Sequence, residues 1–304
     1  MDLFTIIMIV VGLCLFEIIS SIDNAIINAE VLTTMSPRAR RWFLFWGLLI
    51  AVFIIRGVLP WIIIWVVNPG LGPIGSFMAT FSNDPSIKHS IEQSAPILMA
   101  GGGIFLVFLF LHWLFLEEKN FGLPRTEKFF LSQGVWFYAT VSLLLTGIVW
   151  QALKINNMMA LGAVIGSTAF FITHGFKQNA EENEKKMLTT KLTDISKIFY
   201  LEIIDATFSI DGVLGAFAFT LSIPLILIGN GIGALVVRQL TIKGIGKIKQ
   251  YVFLKNGAMY SIFFLGLIML LRAFNYPVPE LVSPIITFFI IGYFFIRSKR
   301  MIGA

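Results

Sequence analysis

Apolar residues fill this chain in long unbroken runs, and the polar residues gather in the short stretches between them. A helix needs about 20 apolar residues to cross a bilayer. Runs of that length predict nine spans, near 3–30, 42–67, 95–116, 129–152, 157–176, 196–220, 222–239, 251–271 and 281–297. Ser222-Ile223-Pro224 separates the sixth from the seventh. The longest connection, 68–94, holds the turn-forming groups Asn68-Pro69-Gly70 and Asn83-Asp84-Pro85. The most charged connection, 177–194, carries Glu181, Glu182, Glu184, Lys185 and Lys186. None of them has room for a soluble domain. The reading is therefore all-α: one polytopic transmembrane bundle over residues 1–304.

Composition agrees with this. The chain is 57% hydrophobic and 13% charged, with a mean hydropathy of +0.85, whereas soluble domains carry roughly 25% charged residues. Met1-Asp2-Leu3 lacks the basic start of a cleaved signal peptide, so the first apolar run is expected to stay as a span. One cysteine, Cys14, excludes an internal disulfide and a thiolate metal cluster. The net charge of +6 suggests nucleic acid only until the basic residues are placed. With the N-terminus outside, 17 of the 23 Lys and Arg fall on predicted cytoplasmic segments, and only Lys88, Lys154 and Arg272 lie opposite. That asymmetry is the positive-inside pattern and puts the C-terminus in the cytoplasm. It is a topology signal, and no nucleic-acid partner is expected.

Two spans depart from the apolar rule in the same way. Glu17-Ile18-Ile19-Ser20-Ser21-Ile22-Asp23 and Asp205-Ala206-Thr207-Phe208-Ser209-Ile210-Asp211 share carboxylates six apart and a Ser-Ile-Asp ending, displaced by 188 residues. Ionisable groups in a bilayer are costly and mark ion paths or mutual pairs. The motifs lie on the first and sixth spans, which an odd separation makes antiparallel. Similar segments in opposite directions are the mark of an inverted-topology repeat with its site near the midplane. Residues 1–116 read as the first half, 117–194 as intervening helices and a cytoplasmic loop, and 195–304 as the second half plus a C-terminal helix.

At 3.6 residues per turn, Glu17, Ser20, Ser21, Asn24 and Asn28 form one oxygen-bearing stripe, matched by Glu202, Asp205, Ser209 and Gly212. Six residues rotate a straight helix by about 240°. Asp23 and Asp211 therefore face a second helix or cavity, unless each helix unwinds at Ser-Ile-Asp. Carboxylate, amide and hydroxyl oxygens suit hard ions such as Mn²⁺, Ca²⁺ or Mg²⁺. Zn²⁺ and Cu⁺ are disfavoured, because the three histidines, His89, His112 and His174, fall in a loop or near predicted helix ends.

Residues 17–24, Glu-Ile-Ile-Ser-Ser-Ile-Asp-Asn, resemble the first motif of the TerC family, and Asp205 to Asp211 resemble its second. The resemblance extends over the whole membrane domain in layout. It implies an inner-membrane protein of the LysE-like exporter group, linked with manganese export and with tellurium-resistance gene sets. Carried over by position, it implies Glu17, Asp23, Asn24, Asp205 and Asp211 as ion-binding residues. Glu202, Ser20, Ser21, Asn28 and Ser209 are candidate additional ligands. The chain departs from the family pattern at Gly212, where a Ser is common, and in extra spans between the halves.

Other features have plainer readings. Arg56, mid-span, is a candidate counter-ion to the acids, with snorkelling as its alternative. Glu30 reads as a solvated mouth residue and Gly101-Gly102-Gly103 as close helix packing. His112 and His174 read as interfacial. The expected function is a secondary transporter exporting divalent cations, Mn²⁺ first, in exchange for protons, with membrane lipid as its surround and no resident cofactor. A rival is a membrane anchor for a tellurite or metal stress-response complex, with loops 117–128 and 177–194 as its surfaces and the acids as structural glue. No nucleophile with a base is present, so enzymatic activity is not expected.

Overall fold

The computed structural model describes the backbone at residues 2–47, 50, 56–67, 69–81, 85–189, 193–243, 245–248 and 250–302. Side chains are described there too, except at 23, 27, 56, 64, 67, 79–81, 85–92, 180–189, 208, 243, 245 and 247. Among these residues the chain is helical, with no strand. Among the described residues six helices are long and apolar enough to cross a membrane: they fall in α1 (Leu3–Ser20), α6 (Pro85–Leu116), α8 (Phe137–Leu153) with the 3₁₀ turn before it, α9 (Asn157–Thr189), α11 (Ile223–Lys243) and α13 (Leu254–Ala273). Large apolar side chains such as Val135, Leu143 and Phe289 are left on the outside. An outer surface of that kind suits lipid, and the protein is a helical membrane bundle. The remaining long helices, α10 (Asp194–Phe217) and α14 (Val282–Ile302), are more polar; α10 carries both halves of the second acidic motif.

The sequence expectation differs from the structure in three places. The connection 68–94 contains helix: a 3₁₀ turn at Pro69–Leu71, then α5 (Gly72–Phe81), with α6 starting at Pro85. Proline suits a helix start because its missing N–H is not needed there. Trp61, on α4 (Arg56–Val67), donates to the Pro73 carbonyl at 2.7 Å and folds α5 back on α4. The expected charged loop 177–194 is helical as far as Thr189, since its Glu, Lys and Gln residues are good helix formers. Finally, where the span expected over 42–67 is described, it holds the end of α3 (Pro37–Trp42), a π-helical turn (Phe43–Gly47) and α4; residues 48, 49 and 51–55 lie outside the described residues.

Glycine sets how closely the central helices approach. α6 runs between α9 and α13 in the main core. A Cβ on Gly101 would lie 2.7 Å from the Gly162 carbonyl oxygen, and one on Gly103 3.0 Å from that of Gly266. The three-glycine run thus serves as packing on two sides, as its sequence suggested. Gly229 and Gly233 on α11 admit α1 in the same way: their Cβ atoms would lie 2.5 Å from Leu13 and 2.7 Å from Glu17. Small residues four apart let backbones approach where lipid supplies no hydrophobic drive.

The helix ends that flank the acids are tied down. Lys197 donates to the Thr34 carbonyl and hydroxyl, both at 2.9 Å, where α2 (Ile22–Thr33) ends. At the far end of α10, Arg272 and Ser283 both donate to the Ala218 carbonyl, at 2.8 and 2.6 Å. These bonds satisfy carbonyls that a helix C-terminus leaves without partners.

Candidate functional site

The two acidic motifs fold differently. α1 ends at Ser20 and α2 begins at Ile22, with Ser21 between them at φ −90° and ψ 1°. α10 runs through its copy without interruption. The first helix is therefore broken at the motif by one residue and the second is not.

As residue numbers rise along α1 and α2, their partners on α10 fall. Phe16 fills the space beside Gly215; Glu17 meets Gly212, where a Cβ would lie 3.1 Å from Oε2. Asn24 and Asn28 then both donate to Asp205 Oδ1, the latter at 3.2 Å. The two segments cross in opposite directions, and the first residue of each motif meets the residue just after the other's last.

Between them lies a cavity of about 50 Å³ lined by Glu17, Ser21, Asn24, Asn28, Asp205 and Arg238 among others. A water needs roughly 10–15 Å³ on such a measure, so the space suits one ion with a few waters. Glu17 is 1% exposed, and Ser21 donates to its Oε1 at 2.7 Å. The Oδ1 atoms of Asn24 and Asn28 are buried without a hydrogen-bond partner. Buried amide oxygens in that condition are destabilising until something donates to them or coordinates them. Two carboxylates and two amide oxygens form a hard-ion donor set. Among the described residues, however, no three His, Cys, Asp or Glu side chains gather closely enough to hold a metal unaided. Amide oxygens and water would have to complete any coordination sphere.

Asp211 does not join this group. On an uninterrupted α10 it is rotated away from Asp205 and faces a second cavity of about 440 Å³. There Lys177 Nζ lies 2.5 Å from its Oδ2. The common ligand set that the resemblance implies is thus divided: on a straight α10 helical rotation separates the two aspartates, and an ammonium pairs with Asp211. Ser20 lines this second cavity rather than the first. The cavity also holds His112 and His174, whose ring centroids are 3.9 Å apart. His112 is buried within the protein, on the last turns of α6. At the mouth Glu117 sits 3.0 Å from Lys255 and 3.5 Å from His112. Burial works against its charge, but the nearby His112 ring and the Lys255 ammonium prevail and hold its carboxyl down at about 2.

The family described as "Protein of unknown function (DUF475)" matches residues 22–302. The chain belongs to that family. No curated protein and no solved structure matches it. The DUF475 match takes in Asn24, Asn28, Asp205 and Asp211 and starts just after Glu17 and Ser21.

The other expected residues of this DUF475 chain fall as follows. Glu202 lies one turn before Asp205, outside the cavity lining, against Gly47 of the π-helical turn. Ser209 donates to the Asp205 carbonyl at 2.6 Å, so its hydroxyl hydrogen is committed to its own helix. Glu30 is exposed, as a mouth residue should be. The side chains of Asp23 and Arg56 lie outside the described residues. Sequence reasoning missed two cations that face the acids, Lys177 and Arg238. Both had been counted as cytoplasmic charges. The usable signal was helical: Arg238 falls inside the apolar run 222–239, and the Glu/Lys-rich stretch that follows Lys177 favours helix.

Proposed function

We propose that this DUF475 protein is a secondary transporter of divalent cations, Mn²⁺ before Ca²⁺ or Mg²⁺, with its binding site in the cavity between α1–α2 and α10. The observation that carries the reading is the reciprocal contact of Glu17 with Gly212 and of Asp205 with Asn24. A pair of contacts related by exchange of the two motifs is what an inverted repeat with its site on the pseudo-two-fold axis produces. It supports an antiparallel relation of the two motifs; the nine-span arrangement with the N-terminus outside and the C-terminus cytoplasmic rests on run length and on the positive-inside asymmetry. The TerC resemblance supplies the inner-membrane location, the outward direction and proton exchange. Glu17, Asn24, Asn28 and Asp205 are the ligands this reading names, joined by Asp23 from the motif. α10 serves as the sixth span, its acids facing protein rather than lipid.

The test is purified protein in liposomes, with Mn²⁺, Ca²⁺ and Mg²⁺ offered in turn while internal pH is recorded. Asp205→Asn abolishes cation movement and leaves the protein folded in the membrane. Equal flux in wild type and variant would remove the reading.

One observation favours a second reading at one position. The Lys177–Asp211 pair joins α9 to α10, and ion pairs between helices also serve as structural locks. Under that reading Asp211→Asn lowers the thermal midpoint and leaves cation flux per folded molecule unchanged, whereas a ligand role for Asp211 requires the flux to fall.

A further inference from the structure

Glu202, Arg238 and the π-helical turn Phe43–Gly47 stand beside the oxygen cavity without a part in the transport reading. Both carboxylate oxygens of Glu202 are buried and have no hydrogen-bond partner. An ionised carboxylate in that state has lost its hydration shell, which is unfavourable unless a cation compensates it. The nearby cation is Arg238, which lines the cavity and attracts both Glu202 and Asp205. Yet its hydrogen bond goes to a neutral oxygen: Nη2 donates to the Phe43 carbonyl at 2.9 Å. Its guanidinium carbon also lies 5.7 Å from the Phe43 ring centroid, within cation–π range. At the other end of the same turn, Gly47 leaves the space into which Glu202 Oε1 projects. One π-helical turn thus holds the arginine by a carbonyl and a ring while it makes room for the acid. π turns inside helices are frequent at functional sites.

We propose that Arg238 is a tethered stand-in for the transported cation. In the cation-free state its charge balances Asp205 and Glu202; a divalent ion entering the cavity takes over that balance, and the guanidinium stays drawn back on Phe43. This rests on the cation-transport reading and assigns that site its competitor. The physical need is release. An oxygen cage carrying Glu17 and Asp205, with the Glu202 charge beside it, would retain a divalent ion, and a fixed positive charge at its edge weakens the hold enough for turnover. Arginine suits the task because its planar fork can keep one bond to Phe43 while other N–H groups face the carboxylates.

The experiment is titration calorimetry of the purified full-length protein in detergent, with Mn²⁺ as the main probe and Ca²⁺ and Mg²⁺ in parallel titrations. Arg238→Gln removes the competing charge and tightens Mn²⁺ binding by roughly tenfold, since like charges sharing one partly buried cavity repel by about 1 kcal/mol or more. Arg238→Lys keeps the charge but not the fork, and shifts affinity much less than Arg238→Gln. Glu202→Gln weakens binding, and the double variant Arg238→Gln/Glu202→Gln returns toward wild type, because the two changes act on one balance. Unchanged or weaker binding in Arg238→Gln overturns the inference, as does an Arg238→Lys variant that behaves like Arg238→Gln. If Arg238→Gln does not fold, Glu202→Gln decides alone: unchanged affinity overturns it. Binding lost in Asp205→Asn but equal in wild type and Arg238→Gln leaves transport standing and removes the arginine's role. Failure of wild type and Arg238→Gln to bind Mn²⁺, Ca²⁺ or Mg²⁺ ends both.

Discussion

Gly212 and Gly233 give Glu17 its place with different margins. A Cβ on Gly233 would meet Glu17 Cβ at 2.7 Å, its Cγ at 2.8 Å and the Cys14 carbonyl at 2.9 Å, two of them close to the backbone. Neither Glu17 Cβ nor a carbonyl in a helix can swing aside, so Gly233→Ala costs about 1–3 kcal/mol by overpacking. A lowered thermal midpoint in detergent checks this. A Cβ on Gly212 meets only the far end of the side chain, Oε2 at 3.1 Å. Gly212→Ala is therefore expected to spare stability and shift the carboxylate, read as a changed Mn²⁺ affinity at an unchanged thermal midpoint. At the mouth of the second cavity, Glu117 is held ionised to about 2 against a usual 4.5. A depressed carboxylate stabilises the fold above its unfolded value and loses that contribution as pH falls through its folded one. Glu117→Gln should then lower the thermal midpoint equally at pH 6 and pH 8, and the difference from wild type should shrink only below about 4.5.

At the scale of elements, the contact of α6 with α9 is set by backbone meeting backbone. Gly166 lies directly on the Gly101 carbonyl, whereas Gly175, further along α9, has nothing within 4 Å of its Cβ position. Gly166→Ala is expected to lose folded yield sharply, because no flexible side chain can give way. Gly175→Ala should be neutral, or stabilising by up to about 1 kcal/mol through helix propensity. Size-exclusion recovery after heating distinguishes the two. The uninterrupted course of α10 governs the site in another way, since it turns Asp205 and Asp211 toward different cavities. A break at Gly212 like that at Ser21 would have changed the relation between them.

At the scale of the molecule, the bundle was legible and its interior division was not. Apolar run length marked the helices that became α1, α6, α8, α9, α11 and α13, because lipid demands continuous apolar stretches of fixed length. The proposed orientation makes its own prediction. With Cys14→Ser as background, a cysteine at Lys299 should react with an impermeant thiol reagent from the cytoplasmic face alone. The partners of the acids were hidden for a simple reason. Positive-inside counting assigns every Lys and Arg near a span end to the solvent, and it cannot tell Lys299, exposed at the end of α14, from Lys177, which bends its ammonium onto Asp211.

Sequence alone determined that the protein is a helical membrane bundle and that Glu17, Asn24, Asn28 and Asp205 belong on helices able to meet. Hydropathy and helical spacing are local properties, and local properties can be read along one strand of text. Tertiary structure decided which acids share a cavity and which cations oppose them. Those outcomes depend on the rotation of α10 and on the glycines that bring α1, α10 and α11 together. They are set by packing between residues nearly two hundred positions apart.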